Sequence, residues 1–281
     1  MKMIMNHIAN KPSSSRVATE NYYRVPTNLL QPMWLRSRES LVDDGLVYDP
    51  IAAMACRQCQ LSSECLAGDV DQKQLLHATL TKLCDTRVSA FLESHPNAWV
   101  LNVGAGLDTR FYRLDNGLCH WIELDTNENL VWRQRLFHKN ERYQLFCGSV
   151  KNTGWLDSLP IPDNAPVLIV CDQALLDCTV KEIATFVQAV SRYFVSAQAC
   201  FVVAGDRSSS KLGSKLGCVE YRHGLQDPSR HFLNWLPWIQ WIKSYTPLDE
   251  NCGRWKFWQK MVTKLPLLKN RYTPSLIELR W

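Results

Sequence analysis

The spacing of apolar residues changes character near residue 96. Before it, residues 27–95 read as helices, with QLLHATLTKLCDTRVSAFL (74–92) the clearest amphipathic stretch and Asp49-Pro50 interrupting the pattern. Residues 1–26 are polar and Ser-rich around PSSSR and read as an arm. After residue 96, short apolar runs (VLNV, WIEL, YQLFC, VLIVC, ACFVVAG) alternate with longer helical stretches such as LVWRQRLF and VKEIATFVQAVSRYF. That alternation predicts a doubly wound α/β fold, a parallel sheet with helices on both faces. Beyond Gly205 the pattern loosens into DRSSSKLGSKLG, read as a lid hinge or a surface loop, and a Trp-rich run, HFLNWLPWIQWIKSY, follows. SLIELRW (275–281) reads as the last strand of the sheet. The expected division is a helical arm and cap over 1–95 and an α/β domain over 96–281 with a lid around 206–245.

The most specific stretch is WVLNVGAGLDTRFYRLD (99–115), a buried-type strand running into a glycine turn. Gly104 and Gly106 let the backbone turn sharply and approach a ligand closely. The NAD-type fingerprint needs a third small residue three positions on, where this chain has Thr109 between Asp108 and Arg110, so hydride transfer is disfavoured. About twenty residues on, HWIELD ends a second strand with Glu123 and Asp125 on one face, acids able to hydrogen-bond ribose hydroxyls. Asp125 or Thr126 also suits the cap of the helix TNENLVWRQRL, and one acid can bind while its neighbour caps.

NVGAGLDTRFYRL followed by IELD resembles the leucine carboxyl methyltransferase and polyketide O-methyltransferase family, whose members use S-adenosylmethionine. Upstream, WLRSRESLVDDGLVYDPIAA is similar to that family's N-terminal segment through Arg36, Glu39, Ser40, Asp49 and Pro50. The resemblance implies a Rossmann-like class I methyltransferase sheet. It places Gly104, Ala105 and Gly106 against the methionine part of the cofactor, Asp125 with Glu123 at the ribose, and Ser149 with Val150 at the adenine edge. The chain departs from the family in several places. Ser149-Val150 replaces Asp-Leu, Asp172 stands for a Glu after the fourth strand, and an arginine for the cofactor carboxylate falls at Leu80, leaving Lys82 or Arg87 as substitutes. The implied reaction is methyl transfer to an oxygen of a small molecule. A carboxylate acceptor needs no base, a hydroxyl does, and no His-Asp pair supplies one. The alternative is a divergent member that binds cofactor, or another ligand, without methyl transfer.

At 281 residues and 46% hydrophobic content the chain can bury a sizeable core. A net charge of +5 does not itself imply nucleic acid. Arg254, Lys256, Lys260, Lys264, Lys269 and Arg271, interleaved with Trp255, Phe257 and Trp258, would suit a stacking and phosphate-binding face. A solvated helix with an apolar stripe of Trp255, Trp258 and Val262 explains them better, so a small-molecule partner is expected rather than nucleic acid. Eleven cysteines without a secretory segment point to a reducing cytoplasm, and no run is long enough to span a membrane. Cys56, Cys59 and Cys65, with Cys84 or His77 as a fourth ligand, form an incomplete zinc set, and no metal is expected. The ligand site should lie beyond the carboxyl ends of the strands. Tyr22, Tyr23, Arg24, Arg222, His223, His231 and Trp235 are candidates for its entrance.

Overall fold

The computed structural model describes residues 22–250, 253–263 and 266–281. The PSSSR stretch, Lys264 and the side chain of Val262 lie outside the described residues. Seven strands form one sheet: β1 Trp99–Val103, β2 His120–Asp125, β3 Tyr143–Cys147, β4 Val167–Cys171, β5 Gln198–Val203, β6 Trp241–Tyr245 and β7 Ser275–Arg280. Their order is β3-β2-β1-β4-β5-β7-β6, with β7 antiparallel to both its neighbours and the other pairings parallel. Sequence order reverses between β1 and β4, the switch point where α/β sheets open a crevice for ligands.

The helices are α1 Thr27–Glu39, α2 Pro50–Cys56, α3 Val70–Ser94, α4 Arg110–Leu114, α5 Asn127–Leu136, α6 Val180–Tyr193, α7 Lys211–Lys215, α8 Pro228–Trp235, α9 Phe257–Thr263 and α10 Pro266–Tyr272. Local chemistry sets several of their starts. Asp49 caps α2 by accepting from the Ala52 amide with Pro50 at the first helical position, and Thr179 and Glu182 form a capping box on α6.

Alternation along the strands divides the core in two. Trp99, Leu101 and Val103 of β1 face α6 and α8 through Ile183, Phe186, Val187 and Phe232. Val100 faces the other way, onto Leu80, Leu83, Val88 and Phe91 of α3. The strands are therefore buried on both faces, as continuous apolar runs require. A third cluster packs α1 and α2 against Leu107 and Phe137, which sets α1 over the glycine turn.

One strand differs from the sequence reading. Trp241–Tyr245, placed in the lid segment, is the edge strand β6. Its outer edge meets solvent, and Trp241 and Lys243 are exposed, so it lacks the apolar run that marks the inner strands.

Candidate functional site

The glycine turn is held open by its backbone. Gly104 and Gly106 have φ of +67° and +48°, a region that costs other residues about 1–2 kcal/mol. The amide of Gly104 donates to the Leu124 carbonyl at 2.7 Å, and that of Gly106 to Asp125 Oδ2 at 2.6 Å. The turn is thus tied to the end of β2. A Cβ on Gly104 would stand 2.1 Å from Cβ of Ala174, so the loop after β4 rests directly on this residue. Over Gly106 the nearest atom is Leu29 Cδ2 of α1, at 3.5 Å from where a Cβ would be.

The Asp-Thr-Arg that follows is structural. Arg110 is fully buried and donates to Asp108 at 2.5 Å, Asp85 at 2.7 Å and Asp172 at 2.7 Å. Arg113 reaches Asp49 at 2.8 Å and Asp85 at 2.9 Å, and Thr109 donates its hydroxyl to Asp49. Arg36 of α1 joins from above, with Nε 3.0 Å from Asp49 and Nη2 2.8 Å from the Leu107 carbonyl. Burial alone would raise the pKa of Asp49, but Arg36 and Arg113 outweigh it and hold the carboxyl below its ordinary range. Asp108 is held well below for the same reason, with Arg110 its strongest partner.

Beneath the turn, Arg133 of α5 is fully buried and donates to the carbonyls of Gly106 at 2.8 Å, Asp108 at 2.9 Å and Ala105 at 3.3 Å. It also donates to the Tyr143 hydroxyl and pairs with Glu123 at 2.9 Å. Glu123 accepts a further bond from Asn102 Nδ2 at 2.8 Å. Burial pushes Glu123 up to about 7, even though Arg133 pulls the other way.

A cavity of about 140 Å³ opens at the carboxyl ends of β1, β2 and β4. Gly104, Ala105, Gly106, Asp125 and Asp172 line it, together with Arg36 and, from α1, Asn28, Leu29 and Pro32. The remaining candidates lie elsewhere. Glu123 shares a strand face with Asp125 but sits deeper, sealed off with Arg133, and does not reach the cavity. Asp125 accepts from the amides of Gly106 and Thr126 and from Asn129 Nδ2, so it organises the turn and the start of α5 together. Ser149 and Val150 follow β3 at the same end of the sheet. Val150 is buried in the core, and the Ser149 carbonyl accepts from Trp155 Nε1 at 3.0 Å.

Lys82 pairs with Glu250 at 3.5 Å and lines a separate groove. Arg87 is 3.6 Å from Glu278 and stacks over the Tyr245 ring. Neither lines the cavity at the glycine turn. The cation that does line the cavity is Arg36, which the sequence marks only as part of the N-terminal segment.

The entrance candidates are not brought together. His223 is buried, its Nε2 accepting from the Ala204 amide at 2.8 Å while its Nδ1 lies 3.0 Å from the Cys178 carbonyl, which ties two loops. Tyr23 pairs with Cys59 and packs edge-on against Trp132, and His231 packs on Trp235.

Cys59 and Cys65 are core thiols, and burial pushes Cys56 and Cys59 up to about 11, away from thiolate chemistry. Among the described residues no group of three or more His, Cys, Asp or Glu is placed to hold a metal, and no helix is long and apolar enough to cross a membrane. The C-terminal cations are largely paired: Arg254 with Glu39, Lys269 with Asp249 and Arg271 with Asp206. Trp255 is buried against Leu75, Leu216 and Leu248, so the imagined stacking face loses its first aromatic.

Strand order, the glycine turn after β1 and the acid ending β2 define the class I methyltransferase fold. A DUF574 family protein from Streptomyces avermitilis shares it, with a TM-score of 0.59 at 8% identity over 94% of this chain and 99% of that one. So does a proposed methyltransferase from Thermobifida fusca, with a TM-score of 0.53 at 12% identity over 90% and 96% of the two chains. Residues 30–144 match the model of the leucine carboxyl methyltransferase family. The chain is also 35% identical over 89 residues to the tetracenomycin polyketide synthesis O-methyltransferase TcmP of Streptomyces glaucescens, a match spanning 31% of this chain and 32% of that protein.

Proposed function

We propose that the protein is an S-adenosylmethionine-dependent O-methyltransferase acting on a small molecule. The observation that carries this reading is one cavity bringing together Gly104, Gly106 and Asp125 at the switch point of the sheet, within the segment that the family model matches. The donor set suits the cofactor. Asp125 retains acceptor capacity for ribose hydroxyls beyond the bonds that fix it. Arg36, whose Nη1 lies 3.4 Å from His77 Nε2, would face the amino-acid carboxylate, and Asp172 its ammonium. When bound, the cofactor supplies an activated methyl group on a sulfonium. The chain's own contribution is to orient it and to keep water out, with α1 covering the turn.

The alternative is cofactor binding without transfer. Asn28, Leu29 and Pro32 of α1 bound one side of the cavity, so both readings place α1 against the cofactor. Calorimetry with S-adenosylhomocysteine, beside transfer of a labelled methyl group to a panel of acids and alcohols, separates the two. Binding with transfer supports the enzyme, binding without transfer supports the second reading, and the absence of both overturns the proposal.

A further inference from the structure

All three nitrogens of the Arg36 guanidinium are held, each by a different element. Nε donates to Asp49, the cap of α2, at 3.0 Å, Nη2 donates to the Leu107 carbonyl of the glycine turn at 2.8 Å, and Nη1 lies 3.4 Å from Nε2 of His77 on α3. Arg36 lines the glycine-turn cavity, whereas His77 stands behind it, on the wall of the open cleft between α1 and α3. His77 therefore meets the cavity through the guanidinium and not directly. We infer that His77 is a positioning residue, which aims Arg36 at the carboxylate of the bound cofactor. This rests on the methyltransferase reading above.

The pairing fixes the state of the ring. A guanidinium donates and never accepts, so the ring nitrogen facing it carries a lone pair, and His77 is the neutral tautomer protonated on Nδ1. A protonated ring would set two cations and their N–H groups against each other. The surroundings keep it neutral: burial lowers His77 to about 3, and Arg36, Arg110 and Arg113 add to the effect against the pull of Asp108. A neutral acceptor also does what an acid in this place would not. Asp49 already shares its charge between Arg36 and Arg113, and a second carboxylate beside Arg36 would cancel its attraction for an anionic ligand. His77 gives direction and leaves the charge intact. A guanidinium has five N–H donors, and these three contacts leave one on each terminal nitrogen, as many as the two oxygens of a carboxylate accept. Without His77 the Nη1 end loses its anchor on α3, and part of the binding free energy is spent on ordering it.

The test compares two ligands by calorimetry on the full chain. S-adenosylhomocysteine carries the amino-acid carboxylate, whereas 5′-methylthioadenosine keeps the adenosine and the thioether but lacks it. His77→Phe keeps a ring and removes the acceptor. It should weaken S-adenosylhomocysteine about three- to tenfold, the worth of one hydrogen bond, and 5′-methylthioadenosine less than about twofold. His77→Asn, too short to reach Nη1, should behave in the same way and serves where the larger ring does not pack. His77→Gln, whose Oε1 reaches as far as Nε2, should bring S-adenosylhomocysteine back to within about twofold of wild type. In an Arg36→Lys background, which lacks the fork, the step from His77 to Phe should change that affinity less than about twofold. Wild-type affinity in the Phe and Asn variants, equal losses for the two ligands, or a full loss that persists without Arg36 each overturns the proposal and leaves the methyltransferase reading standing. A wild type that binds neither ligand overturns that reading, and the proposal with it.

Discussion

Arg133→Met tests the support beneath the cofactor turn. The substitution keeps an unbranched side chain of similar reach but removes the cation that holds three turn carbonyls, the Tyr143 hydroxyl and Glu123. Breaking a buried ion pair by removing one partner costs about 3–5 kcal/mol, because the remaining charge is left in a poor medium. For a chain of this size that corresponds to a fall of about 6–20 °C in melting temperature. Glu123 retains only the Asn102 amide, at 2.8 Å, and responds by holding its proton to higher pH.

The pH dependence has a definite sign. Glu123 is raised from 4.5 to about 7, so its favourable contribution is complete below 4.5 and is lost as pH rises through 7, about 3 kcal/mol in all. The variant moves that loss further upward, so it should approach the wild type least at pH 8.5 and most at pH 6. Glu123→Gln added to Arg133→Met removes the stranded charge and should restore at least about half of the lost stability. Scanning calorimetry at the two pH values provides the readout. An Arg133→Met protein melting within about 2 °C of wild type at pH 8.5, or a double variant no better than the single, would refute the role given to this pair.

Three further outcomes are expected. Gly104→Ala forces a side chain into positive φ and against Ala174, and should cost about 2–4 kcal/mol in urea denaturation; an unchanged midpoint would contradict the packing described. Asp125→Ala should weaken S-adenosylhomocysteine binding roughly ten- to a hundredfold in calorimetry, whereas exposed Asp157→Ala should not, and equal affinities would count against Asp125 at the ribose. His77 is lowered from 6.5 to about 3, so the stability it carries is full above 6.5 and is lost as pH falls towards 3. That amounts to about 5 kcal/mol, and His77→Leu should flatten the melting profile between pH 6.5 and 4; an equally steep acid limb would show that another group is responsible.

The inner strands were legible because β1, β2, β4 and β5 are covered on both faces, and apolar runs are then unavoidable. β6 was not, because an edge strand needs no such run. At the site, the glycine turn and Asp125 could be read from local rules alone, one concerning positive φ and the other strand spacing. Glu123 shows where spacing stops being enough. Period-two alternation puts it on the face of Asp125 but says nothing of depth, and depth decides that it meets Arg133 and not the cavity. Lys82 and Arg87 lie away from the cavity for a related reason: what pairs with a cation is set by tertiary contacts, here with Glu250 and Glu278, far off in sequence. Arg36 lines the cavity without a local signal in the sequence, because its position over the turn depends on a bond to Leu107, across 71 residues.

The motif that first points to a methyltransferase does two jobs, and they need not be kept together. Gly104, Gly106 and Asp125 face the cavity, Asp108 touches both it and the network, and Thr109, Arg110 and Arg113 face inward and join α1, α2, α3 and the loop after β4 through shared carboxylates. A buried network of this kind adds little net stability over apolar packing of the same volume, but removing one member strands its partners, so each residue constrains the others. Such mutual constraint ties the Asp-Thr-Arg-x-x-Arg residues of this chain to its fold. It also places Asp172, held by Arg110, on the cavity wall, so the structural half of the motif sets one group of the binding half. Divergence is then easiest where side chains touch neither the network nor the core. Ser149 is such a position, lying beyond β3, bridged to Asn152 and outside the network.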